Sequence, residues 1–160
     1  RTVSMAAKYR GGVVTEPAGV PSRLRDAAAG AVDRARQAYD GFALHDAASA
    51  AFDLLTQANE RISSSEPWNI AKDPARAAEL DRVLYDLLEA TRIATLLLVP
   101  VMPRKSRDAL RRLGDPAEPA LARTAWGSAG TTLTTSGGDP LFPRIEDPAK
   151  PKDAKPAKNK

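Results

Sequence analysis

One apolar stripe, between residues 80 and 98, constrains the fold of this chain more than any other feature. Its members recur at spacings of three and four residues, the period of one helix face: Leu80, Val83, Leu84, Leu87, Leu88, Ala94, Leu97 and Leu98. Asp73 can cap the start of this helix, and Pro74 fits its first position, where the missing N–H is not needed. Pro100 and Pro103 end the pattern. We therefore predict a long helix from Asp73 to about Val99 as the spine of the core.

Shorter helical patterns flank this spine, and together they predict an all-α fold, a bundle of about five helices. The further helices are expected at residues 1–9, 22–40, 44–62 and 106–113. Ser22 and Ser106 offer hydroxyls that can cap two of them. Ser63, Ser64 and Ser65 compete for backbone hydrogen bonds, and Pro67 disfavours helical angles at the preceding residue, so a break is expected after residue 62.

The rest of the chain lacks a helical period. Residues 11–21 are predicted to form a loop, and a stretch rich in Gly, Thr and Ser, from 126 to 138, is expected to be irregular. The chain should pack back onto the core through Leu141, Phe142, Pro143 and Ile145. One domain is thus predicted over residues 1–146, followed by a disordered Pro/Ala/Lys tail at 147–160.

The basic pI of 9.6 comes from the end of the chain. Residues 150–160 contain five lysines and one aspartate, and residues 1–149 contain 19 basic and 19 acidic residues. The predicted domain therefore has no net field that would attract a polyanion, and any basic surface on it must come from local clustering. The tail is equally compatible with a weak, salt-sensitive attraction to RNA and with an inert end.

The sequence offers no catalytic residue and no metal site. Cysteine is absent, and the single histidine, His45, has no second imidazole beside it. The acidic residues are spaced as on solvated helix faces, and no glycine pattern is typical of a phosphate loop. No cofactor is expected in this chain. The apolar run from Ile93 to Met102 is far too short to span a membrane, and the absence of cysteine fits a cytoplasmic location. The first residues, Arg1 to Met5, suggest that the chain continues a longer protein.

Trp68 is the most conspicuous residue outside the core pattern. It follows Pro67 at the predicted break between two helices. The indole could fold back and cover the core, burying a large apolar area. Alternatively, the rigid junction could present the ring as a platform on which an unpaired base stacks. The local sequence is compatible with both arrangements.

Six segments, in this order, resemble the C-terminal anticodon-binding domain of bacterial methionyl-tRNA synthetases. They are NERISSSEPWNIAK at 59–72, Leu84-Tyr85 with Glu89 and Arg92, PVMPRKS at 100–106, Leu113-Gly114, Trp126, and LFPRIE at 141–146. The opening residues Arg1 to Met5, with Lys8-Tyr9 and Val20-Pro21, are also similar to that domain's first helix and loop. The resemblance covers nearly all of residues 1–146 and implies a helix bundle that receives the anticodon stem-loop of methionine tRNA.

The resemblance also implies roles for three residues, and the position of Lys8 adds a fourth candidate. The tryptophan that stacks on the first anticodon base corresponds to Trp68, and Pro67 matches its neighbouring backbone element. An arginine that hydrogen-bonds to anticodon bases corresponds to Arg1, while its partner asparagine would lie upstream of residue 1. Lys8, two turns along the same helix, could contact a phosphate or remain solvated.

The expected function is therefore anticodon recognition as one part of methionyl-tRNA synthetase, with methionine tRNA and the catalytic domain of the same synthetase as partners. The family's ATP-using catalytic domain, with its His-Gly-His and Lys-Ser-Lys signatures, is absent from this sequence. The alternative is a helical protein-interaction or scaffold module that has kept the fold without RNA binding.

Overall fold

A computed structural model describes residues 1–143 of the chain. Six α-helices and two short strands make up its regular structure within that range. In chain order they are α1 Thr2–Arg10, β1 Val13–Thr15, α2 Arg25–Asp40, α3 Leu44–Ser65, α4 Pro67–Ile70, α5 Ala77–Leu97, α6 Pro103–Arg112 and β2 Thr132–Thr134. Two 3-10 turns are also present, at Pro74–Arg76 and Leu121–Thr124. The prediction of an all-α bundle is confirmed, and the two strands are a small addition to it.

Helix α5 is the centre of the bundle, as predicted. Helices α1, α2, α3 and α6 all pack against it, and α2 pairs with α3 as an antiparallel hairpin. The helix starts later than predicted. The Asp73 carboxylate accepts a hydrogen bond from the backbone N–H of Ala75 at 3.0 Å, but it caps the 3-10 turn Pro74–Arg76, and α5 itself begins at Ala77. Burial on α5 exceeds the predicted stripe, since every residue from Arg82 to Ala90 is buried. Neighbouring elements therefore cover this helix on all sides.

The ends of α1 and α2 follow the glycine signals. Gly11 adopts the left-handed conformation (φ 60°) that ends α1, and Gly41 follows the last residue of α2. The prediction for Ser22 was wrong by three residues, because α2 begins at Arg25. The Ser22 hydroxyl accepts hydrogen bonds from the amides of Leu24 and Arg25, at 3.2 and 3.1 Å, and so supports the turn before the helix.

Two other predicted helix limits were also wrong. Helix α3 continues through its three serines, whose hydroxyls donate to carbonyls of the preceding turn instead of interrupting the helix. Helix α6 begins at Pro103, which fits the first helical position, so Ser106 is an internal residue rather than a cap. On α3, Phe52 is 54% exposed, whereas Leu54 is buried.

The predicted loop at 11–21 and the irregular stretch at 126–138 each contribute one strand. Strands β1 and β2 pair antiparallel, with Val14 opposite Leu133, and both of these side chains are fully buried. Gly114 makes room for this sheet, because its φ is 87° and a Cβ there would lie 2.8 Å from the carbonyl oxygen of Thr134. The pair fastens the irregular C-terminal part of the domain to the loop after α1.

The return of the chain onto the bundle is only partly as predicted. Leu141 is half-buried, whereas Phe142 is 66% exposed and does not join the core. Ile145, the limit at residue 146 and the tail at 147–160 lie outside the described residues. Within residues 1–143 no helix is long and apolar enough to cross a membrane.

Candidate nucleic-acid interface

The junction between α3 and α4 fixes the position of Trp68. Helix α3 ends because Glu66 adopts left-handed angles (φ 47°, ψ 62°), a conformation that a non-glycine residue seldom takes. Pro67 and Ile70 are both buried and anchor the single turn of α4 against α5. Trp68 lies between these anchors and is 42% exposed. The ring is therefore held by a rigid turn and is only partly covered by it.

Polar side chains on the same turn form a short hydrogen-bonded chain beside Trp68. The Asn69 amide donates to the Glu66 carboxylate at 2.9 Å, and the Lys72 ammonium donates to the Asn69 carbonyl oxygen at 3.0 Å. These contacts are exposed to solvent. An amide and an ammonium group are thus available next to the ring, although sequence reasoning gave them no role.

A polar groove of about 550 Å³ lies between the start of α1 and the last turns of α3. Its lining residues are Arg1, Thr56, Asn59, Glu60, Ser63 and Ser64. The α3 residues recur at helical spacing, so they lie on one face of that helix. The sequence contains this polar stripe, but the apolar period predicts only the opposite, buried face of the helix. The groove ends, along the chain, four residues before Trp68.

The structure brings Arg1 to this groove but leaves Lys8 outside it. Arg1 directly precedes α1, and its side chain lines the groove together with the α3 residues. Lys8 is exposed on α1, seven residues or about 10 Å along the helix axis. Its ammonium lies 5.1 Å from the centre of the Tyr9 ring. Of the four predicted site residues, Pro67 and Trp68 share the junction, Arg1 lines the adjoining groove, and Lys8 stands apart.

Charged residues on α5 contradict the expectation that all charges solvate helix faces. Asp86 is fully buried and accepts a hydrogen bond from the backbone N–H of Arg23 at 2.9 Å. Arg82 is also buried, and it contacts Asp86 at 3.4 Å and Glu16 at 3.1 Å. Burial raises the pKa of the Asp86 carboxyl despite these partners. The group ties the loop before α2 to the central helix.

A second buried group ties the irregular segment after α6 to α5. The Arg92 guanidinium forms two 2.8 Å hydrogen bonds with the Glu89 carboxylate and contacts Asp115 at 3.3 Å. It also donates to the carbonyl oxygens of Arg123 and Ala125, at 2.8 and 3.0 Å. Each acid in the two groups has a structural partner, so neither group resembles a poised acid or base.

The remaining candidates for chemistry stay at the surface. His45 is exposed at the start of α3. Across residues 1–143 no group of three or more His, Cys, Asp or Glu side chains is arranged to hold a metal ion. The exposed aromatic ring, the arginine and the polar groove therefore make the α3–α4 junction the site best suited to binding a ligand.

The chain is similar to one part of several larger proteins. It is 35% identical over 164 residues to the methionine–tRNA ligase of Deinococcus radiodurans, a match that covers 99% of this chain and 24% of the relative. The corresponding ligase of Mycobacterium leprae is 38% identical over 167 residues, with 99% and 30% covered. This chain thus spans about a quarter to a third of the length of these relatives. No family model matches it.

A solved structure has the same fold. The free form of Mycobacterium tuberculosis methionyl-tRNA synthetase superposes with a TM-score of 0.75 and 31% identity, over 92% of this chain and 31% of that one. The resemblance inferred from the sequence motifs is confirmed by these matches.

Proposed function

We propose that this chain, a homologue of the C-terminal part of bacterial methionyl-tRNA synthetases, recognises the anticodon stem-loop of methionine tRNA. The relatives are named for the ligation of methionine to tRNA, and this chain spans only a fraction of their length. We assign it the recognition step alone. The catalytic domain that uses ATP is then a partner, joined to this chain or separate from it, and the location is cytoplasmic.

The observation that carries the proposal is the half-exposed indole of Trp68 on a rigid turn. A base has two flat faces, so an unpaired base can stack on a ring that presents one free face, and such stacking contributes about 1–3 kcal/mol. Pro67 is buried at the first position of α4 and restricts the backbone of the turn, so little backbone mobility would be lost on binding. Trp68 is thus assigned the stacking contact and Pro67 its support.

The groove supplies donors for the remaining nucleotides of the loop. The Arg1 guanidinium and the Asn59 amide can donate to base edges or to phosphate. The hydroxyls of Thr56, Ser63 and Ser64 donate to carbonyls within α3, so they can serve RNA as acceptors. Lys8 lies outside the groove and is assigned a phosphate contact at its margin. Because residues 1–149 are electrically balanced, selectivity should rest on these placed contacts rather than on a general basic field.

A binding measurement with two RNA hairpins tests this assignment. The hairpins share one stem and differ only in the loop, one with CAU at the anticodon and one with an unrelated triplet. We expect Trp68→Ala to weaken binding of the CAU hairpin by about 5- to 150-fold, the range that corresponds to lost stacking. Trp68→Phe should keep most of the affinity. Phe52→Ala, which removes a comparably exposed aromatic ring from α3, should leave the affinity unchanged.

Fluorescence gives an independent measurement of the same contact. A Trp126→Phe background leaves Trp68 as the sole tryptophan, and a stacked base should quench its emission. Equal binding of both hairpins, by the parent protein and by Trp68→Ala alike, would refute the proposal.

That outcome would favour a protein-interaction module instead. One observation supports this second candidate: Phe42, Leu44 and Phe52 are 91%, 59% and 54% exposed around the α2–α3 turn and the first part of α3. Under this alternative, substitutions at these residues would affect partner binding, whereas Trp68→Ala would not.

A further inference from the structure

Helix α6 concentrates positive charge that the neutral domain does not show as a whole. Its ten residues include five basic ones, Arg104, Lys105, Arg107, Arg111 and Arg112, and a single acid, Asp108. Leu110 and Ser106 are buried, so one face of the helix is fixed against the bundle. The basic residues occupy the rest of its circumference.

Neighbouring acids neutralise only part of this charge. Arg111 pairs with Asp108 at 2.9 Å and Arg107 with Glu118 at 2.7 Å, and both pairs are substantially exposed. Exposed pairs of this kind are weak and exchange partners readily. Arg104 and Lys105 have no carboxylate partner among the described residues.

Arg1 connects α6 to the groove beside Trp68. Besides the groove, it lines a second cavity of about 410 Å³, together with Ala109 and Arg112 of α6. The C-terminal end of α6 therefore lies next to the start of α1. From Arg112 at that end, the basic residues extend about 12 Å along the helix to Arg104. Arg112 donates to the carbonyl oxygen of Asp139 and so faces the same cavity.

We propose that α6 binds the phosphate backbone of the same RNA whose loop contacts Trp68. This inference rests on the proposed function and extends it, because it adds a sequence-independent surface to a sequence-reading one. Arginine and lysine side chains on a helix surface neutralise phosphates and release counterions.

A membrane surface fits this helix less well. A helix that inserts into a bilayer surface needs a free apolar face. The apolar residues of α6 are already buried, since Leu110 is 1% exposed and Leu113, which follows the helix, is 3% exposed.

The experiment compares salt dependence in two charge variants of the full 160-residue chain. Arg104→Gln/Lys105→Gln removes two of the three cations of α6 that lack a carboxylate partner among residues 1–143, and leaves Arg112 in place. Arg34→Gln/Arg36→Gln removes two exposed cations from α2 and is the matched control. Dissociation constants for the CAU hairpin are measured between 50 and 200 mM salt, after melting temperatures have shown that both variants fold as the parent protein does.

The control lies on the other side of the bundle. Arg36 shares a cavity with Ile93 of α5, whereas Arg112 shares one with Thr91. Residues two apart on a helix point about 200° from each other. A hairpin that spans the α6 side therefore should not reach Arg36.

Each neutralised phosphate contributes about 0.7–0.9 to the slope of log affinity against log salt. With two charges removed, we expect the magnitude of this slope to fall by about 1.4–1.8 in the α6 variant. The gain in affinity between 200 and 50 mM salt should then be about tenfold smaller than in the parent protein. The loss should be equal for the CAU hairpin and for the unrelated hairpin, while the α2 variant keeps the parent slope.

An unchanged slope in the α6 variant, or an equal fall in the α2 variant, would overturn the inference. So would binding of labelled polyglutamate as tightly as the hairpin, because α6 would then be a surface for acidic proteins. The proposed function would be refuted by a different result, namely that neither Trp68→Ala nor the loop sequence changes the affinity for the hairpin.

Discussion

The buried Arg92 gives the sharpest prediction about stability. Its side chain is fully buried, and its guanidinium is held by Glu89, Asp115 and two backbone carbonyls. Arg92→Met removes the cation but keeps most of the side-chain volume. Glu89 and Asp115, which are 0% and 2% exposed, would then be buried carboxylates without their shared partner.

The expected loss is large because of what remains after the substitution. Removing one member of a buried ion pair typically costs about 3–5 kcal/mol, since the other charge stays desolvated. Two carbonyl oxygens also lose their donor, although these can be rehydrated if the segment loosens. Glu89 keeps one hydrogen bond, from the backbone N–H of Gly127 at 2.9 Å, and Asp115 keeps its pairing with Arg123. We therefore expect a decrease of about 3 kcal/mol in the free energy of unfolding.

A nearly identical pair at the surface provides the control. The Arg76 guanidinium forms the same bidentate pair of hydrogen bonds with the Glu79 carboxylate, at 2.7 and 2.8 Å, and both side chains are 45% exposed. Urea unfolding followed by circular dichroism should show a large midpoint shift for Arg92→Met and no resolvable shift for Arg76→Met. Similar midpoints for the two variants would refute the reasoning, because burial would then contribute nothing to the difference.

Three other predictions have defined outcomes. Gly114→Ala should lower the free energy of unfolding by about 2 kcal/mol or more, because its Cβ would meet the Thr134 backbone. Gly11→Ala should lower it by only about 1–2 kcal/mol, because that position has φ 60° but open space around it. Urea unfolding midpoints compare the two variants. Phe42→Gly should stabilise by about 0.5–1 kcal/mol in the same assay, since Phe42 is 91% exposed and has φ 57°, and a lower midpoint would contradict this. The pKa of Asp86 is raised above its ordinary 3.8, so the folded state holds this proton more tightly than the unfolded state does. The stability of the parent protein relative to Asp86→Asn should therefore fall as the pH rises from 3.8 through the raised pKa. Paired pH titrations that show a rise in relative stability over that interval would contradict this sign.

Most of the fold was predictable because the apolar period and the end signals of a helix lie within a short stretch of sequence. The three-and-four period located α5, and Gly11 and Gly41 marked real helix ends. The strands escaped prediction because each has only three residues, and β1 is stabilised by a partner about 120 residues away. The serines at the end of α3 were misread because their hydroxyls can satisfy carbonyls within a helix as well as interrupt one.

The candidate site was predictable only in part, for a related reason. Pro67 before Trp68 was visible as a junction, and the structure adds that Ile70 anchors the turn. Arg1 lines the same groove as Ser63 and Ser64 because of the way α1 packs in the bundle, and no local sequence pattern specifies that packing. The buried charges of α5 were missed because an acid and an arginine at helical spacing look the same whether the face is solvated or covered.

The buried charges also change what the neutral composition means for binding. Among the residues that the structure describes, two arginines, Arg82 and Arg92, are buried together with three carboxylates, those of Asp86, Glu89 and Asp115. The core therefore removes one more negative than positive charge from the surface. Residues 1–143 contain 18 basic and 17 acidic residues, so 16 basic and 14 acidic ones lie outside this buried set, and α6 gathers part of that excess beside Arg1. Under the proposed function, salt should consequently weaken RNA binding through a few local contacts, while the proposed stacking on Trp68 should persist at ionic strengths that screen α6.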